Sequence, residues 1–473
     1  MATRRNKTQS SKRTQLGRRG FESATETGYV KPPGTTGRFL VLFRSGAEKA
    51  GIDTLNKHAG IAMTSSVDFA EKPSTAVAEM GRDSGLFFET LGVAVVDTEP
   101  QTIQSLSVDG TSDNPILAVE PERVVYALDG VVSVGGPVIP SPIPSAALSN
   151  SMLDYLRGYR DAVNHLADRL MKPGQASSAA EEALVAAALD ESEVTWGLQV
   201  TSVPKSKFSG QTIRIAVLDT GFDLDHPDFV GRSVVTNSFV PGQSVQDGHG
   251  HGTHCIGTSC GPQHPGTLPR YGIAFNAEIF VGKVLSNAGS GSDSSILAGI
   301  EWAVKNGCAI VSMSLGSPVT AGQGYSQVFE QVAKRALAAG TLIIAAAGND
   351  SHRPSLIAPV GHPANCPSIM AVGALDSQLQ IGYFSNGGLN TQGGQVDIAA
   401  PGVQIRSSWP RPTLYNTISG TSMATPHVAG IAGLYAEANP QTRGLALWSL
   451  LVQRAKRLSL PSRDVGSGLV QAT

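Results

Sequence analysis

Short apolar runs alternate with longer amphipathic segments over much of the second half of this chain. The runs cover residues 213–218, 277–284, 309–313, 342–346 and 368–372, and helical patterns cover 293–305 and 325–338. Apolar runs of this length are typical of strands buried on both faces, and helices between them connect parallel strands. The alternation predicts an α/β fold with a central, mostly parallel sheet. In such sheets, ligands bind beyond the carboxyl ends of the strands.

The composition excludes several classes of protein. The 473 residues are 41% hydrophobic and 16% charged, and the formal net charge is −2. That apolar content suits a folded protein, and the near-neutral charge excludes a globally basic nucleic-acid binder. No apolar run reaches the ~18 residues that a membrane-spanning helix needs. We therefore expect a monomer with neither nucleic acid nor a membrane as its partner.

The N-terminus and the cysteines bear on where the protein resides. Residues 1–20 are basic and polar, and no apolar stretch follows them of the kind that a secretory signal carries. Four cysteines are too few for a disulfide framework; they are Cys255, Cys260, Cys308 and Cys366. We expect free thiols and a cytoplasmic location, with export by another route and one disulfide left open.

The first 194 residues divide into three parts. Residues 1–36 lack periodicity and predict a disordered basic arm. Residues 37–128 indicate a small α+β domain. Its expected strands are 37–43, 91–96, 116–119 and 124–127, and its expected helices are 46–59 and 102–106. Residues 129–194 join a Gly/Pro/Ser-rich linker to helical patterns at 151–171 and 177–189, which we interpret as a spacer before the sheet-forming region 195–473.

Three motifs lie where a strand ends or a helix begins. Asp219 stands in Asp-Thr-Gly after the run 213–218, His251 in Gly-His-Gly-Thr-His, and Ser422 in Gly-Thr-Ser-Met-Ala-Thr-Pro-His at the start of an apolar helix. Each motif alone is weak. Such an Asp is often a turn residue and such a Ser often an N-cap. The histidines could bind a metal, but their spacing fits no familiar zinc pattern.

Together, the three motifs and their order resemble the subtilisin-like serine proteases. The resemblance is strong over 195–473 and implies the three-layer fold of that family. It implies that Ser422 is the nucleophile, that His251 is the general base and that Asp219 orients the imidazole. Asn349, in Ala-Gly-Asn-Asp after the run 342–346, would form the oxyanion hole with the Ser422 backbone N–H. His254 would be structural, and His249 matches nothing in the family motif.

The same resemblance implies a groove that binds polypeptide substrates as an added strand. One wall would be Ser314, Leu315 and Gly316, and the other Gly289, Ser290 and Gly291. Gly361 would form the floor of the primary pocket and leave room for a large side chain. We expect large apolar residues before the cleaved bond. Cys255, which directly follows His254 as in the proteinase K-like branch, would lie beneath the catalytic histidine.

Residues 37–128 resemble, more weakly, the inhibitory propeptide domain of the family. Residues 119–128 look like the propeptide tail that lies in the groove as a product, which predicts self-cleavage after Leu128. The chain departs from the family in the length of the 129–194 spacer before Trp196, so a second cut near 190 and retention of the spacer both stay open.

Relatives need no cofactor, but many of them hold structural calcium through carboxylates and carbonyls. Asp228 matches one such ligand, although the loop after His251 lacks the expected Asn-rich turn. Asp376 resembles a ligand of a second, weaker site. We therefore expect that calcium could bind at either position.

Two other functions share this scaffold. A peptide-binding pseudoenzyme is one, but all four catalytic positions carry the expected residues. A peptide ligase or cyclase, in which an amine replaces water at deacylation, stays open.

Overall fold

The computed structural model describes residues 34–69, 80–106, 114–128 and 189–473. Most of the basic arm and of the 129–194 spacer lies outside these residues, as does the predicted helix at 151–171. The predicted helix at 177–189 lies outside them except for its last residue.

The central sheet has seven strands, and every neighbouring pair in it is parallel. In spatial order the strands are β14 (Ile398–Pro401), β13 (Met370–Leu375), β12 (Leu342–Ala346), β10 (Ile310–Met313), β6 (Arg214–Asp219), β8 (Glu278–Lys283) and β7 (Val234–Ser238). The α/β fold class with a mostly parallel sheet is therefore confirmed. The predicted run 368–372 begins two residues before β13. Strands β7 and β14 were not predicted, because β7 ends in Thr-Asn-Ser and β14 has only four residues, the last of them a proline.

Helices cover both faces of this sheet. On one face, α4 (His251–Cys260), α7 (Thr421–Ala438) and α8 (Leu445–Arg454) contribute to one apolar core; on the other, α5 (Asp293–Lys305) and α6 (Gln327–Ala338) contribute to a second. The α5 bounds agree with the sequence pattern. Residues 421–436 of α7 are all buried, as expected for a helix that is apolar on every side. The short helices α3 (Trp196–Val200) and α9 (Ser462–Val465) and the hairpin β15 (Ile405–Ser408)–β16 (Tyr415–Ile418) complete this region.

The N-terminal region forms a second sheet. It consists of β1 (Thr35–Phe43), β2 (Ala62–Ser65), β3 (Ser84–Phe88), β4 (Val93–Asp97) and β5 (Ile116–Ala127), with helices α1 (Glu48–His58) and α2 (Pro100–Ser105). The two strands predicted at 116–119 and 124–127 are one continuous strand. Pro121 does not interrupt β5 because it lies opposite Phe39, next to a register shift between β5 and β1.

Strand β5 also pairs with two short strands of the C-terminal region. These are β9 (Ser290–Ser292) and β11 (Leu315–Gly316), and both pairings are antiparallel. The N-terminal sheet is thereby extended directly to the edge where the central strands end. Among the described residues, no helix is both long enough and apolar enough to span a membrane.

Candidate active site

Asp219 and His251 form a buried pair at the carboxyl edge of the central sheet. Asp219 is the last residue of β6, and His251 is the first residue of α4. The His251 Nδ1 lies 2.7 Å from the Asp219 Oδ1, and both side chains are 1% exposed. A proton on Nδ1 therefore donates to the carboxylate, and Nε2 is the nitrogen left to exchange a proton with a reacting group.

The electrostatics of the pair favour a strong base. Burial by itself lowers the pKa of His251, but the negative Asp219 carboxylate outweighs burial and raises that pKa well above its usual value. Cys255 is not the anion responsible, because burial raises the pKa of its thiol and keeps it neutral.

The loop before α4 is held by Asp247, a residue that the sequence analysis missed. Its carboxylate accepts hydrogen bonds from the backbone N–H groups of His249, Gly250 and Thr253, at 2.8–2.9 Å. These bonds lower its pKa although burial opposes them. Gly250 has φ +111°, and a Cβ there would lie 2.3 Å from the Trp409 ring, so the loop needs glycine. The sequence signal that could have identified Asp247 is an acidic residue one turn before the first residue of α4.

Ser422 lies at the start of α7, and its hydroxyl contacts Leu128, the residue that follows β5. Its Oγ donates to the Leu128 carbonyl oxygen at 2.9 Å and lies 3.1 Å from the Ser314 carbonyl oxygen. Among the described residues, the His251 Nε2 has no hydrogen-bond partner. The serine is therefore engaged with Leu128 rather than with the imidazole.

Asn349 contacts the same Leu128 carbonyl. Its side-chain Nδ2 donates to that oxygen at 3.2 Å, while its Oδ1 accepts from the Thr421 N–H at 2.9 Å and from the Thr421 hydroxyl at 2.8 Å. Thr421 thus fixes which way the amide points. The second donor expected from the sequence, the Ser422 backbone N–H, makes no hydrogen bond to Leu128 in the part of the chain that the structure describes.

The residues before Leu128 lie as a strand between the two expected walls. Val124, Val125 and Tyr126 pair with β9, and Tyr126 and Ala127 pair with β11. The Ala127 N–H donates to the Gly289 carbonyl at 2.8 Å, and the Leu128 N–H donates to the Ser314 carbonyl at 3.4 Å. The segment 289–291 therefore lies on one side of residues 124–128 and the segment 314–316 on the other.

Gly316 and Gly361 lie in close contact with backbone near the end of this groove. A Cβ on Gly316 would lie 2.6 Å from the His362 carbonyl oxygen and 3.8 Å from the Leu128 Cδ1. A Cβ on Gly361 would lie 2.9 Å from the Ser317 carbonyl oxygen. Gly316 is therefore the glycine beside the leucine side chain, and Gly361 lies behind it against the backbone of residue 317.

Comparisons with known proteins identify the family of the chain. Residues 210–468 match the model of the subtilase family, described as Peptidase_S8. The chain belongs to the subtilase family. Subtilisin Savinase of Lederbergia lenta is 40% identical over 284 residues, which cover 59% of this chain and 97% of the relative. An alkaline protease of Alkalihalobacillus alcalophilus is 40% identical, with 59% and 69% covered. The crystal structure of a cold-adapted subtilisin-like serine proteinase superposes with a TM-score of 0.50 at 33% identity, covering 60% of this chain and 99% of its own.

Membership of this family makes the chain a subtilisin-like serine endopeptidase, a hydrolase of peptide bonds. It also overturns one expectation. The relatives are secreted extracellular subtilisins and alkaline proteases, so the cytoplasmic location predicted from the first 20 residues is wrong.

Cys255 of this subtilase lies beside the Asp219–His251 pair. Its Sγ is 4.0 Å from the His251 Nδ1 and 3.6 Å from the Ser422 carbonyl oxygen, and the side chain is fully buried. All four cysteines are buried free thiols. His254 is neutral, because burial lowers its pKa to about 3, and its Nε2 bonds to the Ile405 carbonyl at 3.0 Å.

The two carboxylates suggested as calcium ligands are both held by hydrogen bonds. Asp228 accepts hydrogen bonds from the Gly266 N–H at 2.7 Å, the Tyr271 hydroxyl at 2.6 Å and the Tyr415 hydroxyl at 3.1 Å. Three donors thus point hydrogens at the oxygens that a cation would need. Asp376 closes a turn by accepting from the N–H groups of Gln378 and Gln380.

Calcium requires six to eight converging oxygens. Among the described residues, the one cluster of three metal-binding side chains is Asp219, His251 and Cys255, which is the buried Asp–His pair with its neighbouring thiol. Both Asp228 and Asp376 serve as hydrogen-bond acceptors, which argues against calcium at these positions, and the effect of a chelator tests it.

Proposed function

We propose that this endopeptidase is a zymogen that cuts its own chain after Leu128. The released N-terminal domain then inhibits the enzyme. The observation that carries the proposal is the Leu128 carbonyl, which is held at once by the Ser422 hydroxyl and by the Asn349 amide. A carbonyl between a nucleophile and an oxyanion donor is where the scissile bond of a bound substrate lies.

The residues would divide the reaction as follows. His251 removes the proton from Ser422 as the hydroxyl attacks the Leu128 carbonyl carbon, and Asp219 stabilises the resulting imidazolium. Asn349 donates to the oxygen as it becomes negative. His251 then returns the proton to the departing amine of residue 129, and water hydrolyses the acyl ester by the same route.

The N-terminal domain would remain as an inhibitor because β5 fills the groove between β9 and β11. Two carboxylates of the N-terminal domain also accept hydrogen bonds at the N-termini of helices in the catalytic domain. Glu120 accepts from the Gln327 N–H at 2.6 Å at the start of α6, and Glu122 accepts from the Ser294 N–H at 3.0 Å at the start of α5. Negative charge is stabilising at a helix N-terminus, so these contacts bind the cleaved domain independently of the cut.

Arg38 strengthens the Glu122 contact. Its guanidinium bonds to the Glu122 carboxylate at 2.6 Å, and Glu122 is fully buried. A buried carboxylate needs such a partner. The domain that carries both residues begins at Thr35, and we place its end at Leu128, followed by the spacer to 194 and the catalytic domain from 195.

The substrates would be polypeptides in an extended conformation with a large apolar residue before the cut. Leu128 occupies that position in the chain itself, and Gly316 beside its Cδ1 leaves room for a side chain at least that large. We propose that the protein acts on such substrates as a monomer.

Expression of the wild-type chain beside Ser422→Ala tests the proposal. Intact mass and N-terminal sequencing should show a cut after Leu128 in the wild type and an uncut chain in the variant. Leu128→Phe should preserve the cut, while the charged Leu128→Glu should slow it at least tenfold. Cutting by purified Ser422→Ala would refute the assignment, and so would a wild-type chain that stays whole and is not labelled by a fluorophosphonate.

A further inference from the structure

We propose that Lys283, a buried lysine that takes no part in the steps above, is a positioning residue of the catalytic centre. Its ammonium joins the segment that carries Asp219 to the loop that precedes His251, and its charge sets the pH range in which His251 acts as a base. The inference rests on the proposed function, because it gives Lys283 a role only if His251 is that base.

Lys283 is the last residue of β8, and the register of the central sheet places it beside the Asp219–His251 pair. Its Cα lies opposite that of Asp219 at the end of β6, and the residue is 0% exposed. Its Nζ donates to the Thr220 carbonyl and, at 2.8 Å, to the Asn287 Oδ1. Because taking an ammonium out of water costs free energy, packing alone does not account for a wholly buried lysine at this edge.

Thr220 links the lysine to both members of the pair. It directly follows Asp219, and its hydroxyl donates to the Asp247 carboxylate at 3.0 Å. The same hydroxyl accepts from the N–H of Gly252, the residue after His251, at 2.8 Å. The ammonium therefore holds the backbone of a residue that itself bonds to the start of α4.

Asn287 makes the second link. Its Oδ1 accepts from Lys283 and also, at 3.1 Å, from the Gly248 N–H in the loop before α4. Gly248 directly follows Asp247, whose carboxylate holds the rest of that loop. One ammonium thus fixes, through two acceptors, both segments that supply the pair.

The charge of Lys283 balances two carboxylates. Burial lowers the pKa of the ammonium, and the negative Asp247 and Asp219 oppose that effect. Two carboxylates and one ammonium leave one net negative charge, which an imidazolium at His251 neutralises. Without the ammonium, the two carboxylates would hold the His251 proton more tightly, and the pKa of the imidazole would rise.

The other titratable groups that face the imidazole do not replace this charge. Cys255, one turn further along α4, is neutral, and so is His254. The centroid of the His249 ring lies 6.3 Å from that of His251. A positive charge on His249 would act in the same direction as Lys283, so the test includes a variant that lacks it.

The test is the pH dependence of kcat/KM on a peptide with leucine before the cleaved bond, with fluorophosphonate labelling of Ser422 followed over the same range. Lys283→Met has a side chain of similar length without charge or donors. Its acid limb should move upward by at least about half a pH unit, about a threefold loss on the acid side, since a nearby unit charge is removed at an effective dielectric constant of about 20. The plateau at high pH should fall as well, because the Thr220 carbonyl loses its partner.

Four further variants separate charge from position. Asn287→Ala, at an exposed residue, removes one acceptor and keeps the ammonium, so the plateau should fall severalfold while the acid limb stays. Lys283→Arg keeps the charge and should keep the limb. In a His249→Asn background, Lys283→Met should shift the limb by the same amount. Lys207→Met is the control, because this exposed lysine contacts the Phe208 ring, and it should change neither limb nor plateau.

The unfolding midpoint of each variant shows whether it is folded. A folded Lys283→Met with the acid limb of the wild type would show that the lysine only supports the fold, and would overturn the inference. If that variant does not fold, a displaced limb in Lys283→Arg or an unchanged plateau in Asn287→Ala overturns it instead. A wild-type chain whose Ser422 takes no label would refute the proposed function itself, and the inference with it.

Discussion

The Asn349 side chain performs two separable tasks, which permits a sharp test of its catalytic role. Its Nδ2 donates to the Leu128 carbonyl, and its Oδ1 accepts from both the N–H and the hydroxyl of Thr421. Asn349→Asp keeps the acceptor for Thr421 and removes the donor. Asn349→Ala removes both, and it leaves two buried donors of Thr421 without a partner.

Both variants should lose catalytic activity, and Asn349→Ala should also lose stability. Removing one oxyanion donor costs about 2.7–4 kcal/mol of transition-state stabilisation, a loss of about 10²–10³ in kcat. Asn349→Asp should lose at least that much, because its negative charge also repels the oxyanion. Asn349→Ala should in addition lose about 1–3 kcal/mol of stability, since unsatisfied buried donors cost that much.

The assay combines three measurements on each variant. These are the rate of the cut after Leu128 by intact mass, kcat and KM on a peptide with leucine before the cleaved bond, and the unfolding midpoint. Asn390→Ala is the matched control, because this nearly buried asparagine also holds a loop, through the Gly322 N–H at 2.8 Å, but touches no residue of the site. The reasoning is refuted if folded Asn349→Asp retains kcat within tenfold of the wild type, or if the loss appears in KM alone.

Three further predictions follow from individual side chains. A mercurial should inactivate the wild type by binding the Cys255 thiol beside His251, and Cys255→Val should resist it; an equal loss of hydrolysis in both would exclude Cys255 as the target. Burial raises the pKa of Asp397 to about 7, against one opposing hydrogen bond from the Ala371 N–H. Because this pKa is above that of the unfolded chain, stability is lost as pH rises from about 4 through about 7. Asp397→Asn in the Ser422→Ala background should therefore raise the urea midpoint at pH 8 and not at pH 4, and an equal gain at both pH values would contradict the cause. Because Asp228 is held by tyrosine hydroxyls, a chelator should leave the melting temperature within about 1 °C, whereas Tyr271→Phe should lower it by several degrees, as expected for about 1–3 kcal/mol; a large chelator effect would show that calcium supports the fold after all.

The elements that the sequence predicted well are those in which local pattern and final environment coincide. The segments 293–305 and 342–346 agree with α5 and β12 residue for residue, because an amphipathic or wholly apolar segment becomes the same element wherever it packs. Strands β9 and β11 were not predicted as strands. They contain only Ser290–Ser292 and Leu315–Gly316, and they are strands because β5 supplies their partners.

The roles of residues that act through distant partners could also not be predicted from the sequence. Asp247 carries no catalytic motif, and its importance follows from three backbone N–H groups that only the folded loop turns toward it. Asp228 matched a calcium ligand by position, and only the fold shows that Tyr271 and Tyr415, 43 and 187 residues away, donate hydrogen bonds to it.

The sequence by itself determined the class of fold and predicted Ser422, His251 and Asp219 as the catalytic residues, because strand periodicity and three short motifs are local properties of the chain. The tertiary structure alone decided that Leu128 lies against Ser422, 294 residues away. It also decided that the serine contacts that leucine rather than His251. Such contacts join chain segments that are adjacent only after the sheet has formed, and hydrogen bonds act over about 3 Å of space irrespective of distance along the chain.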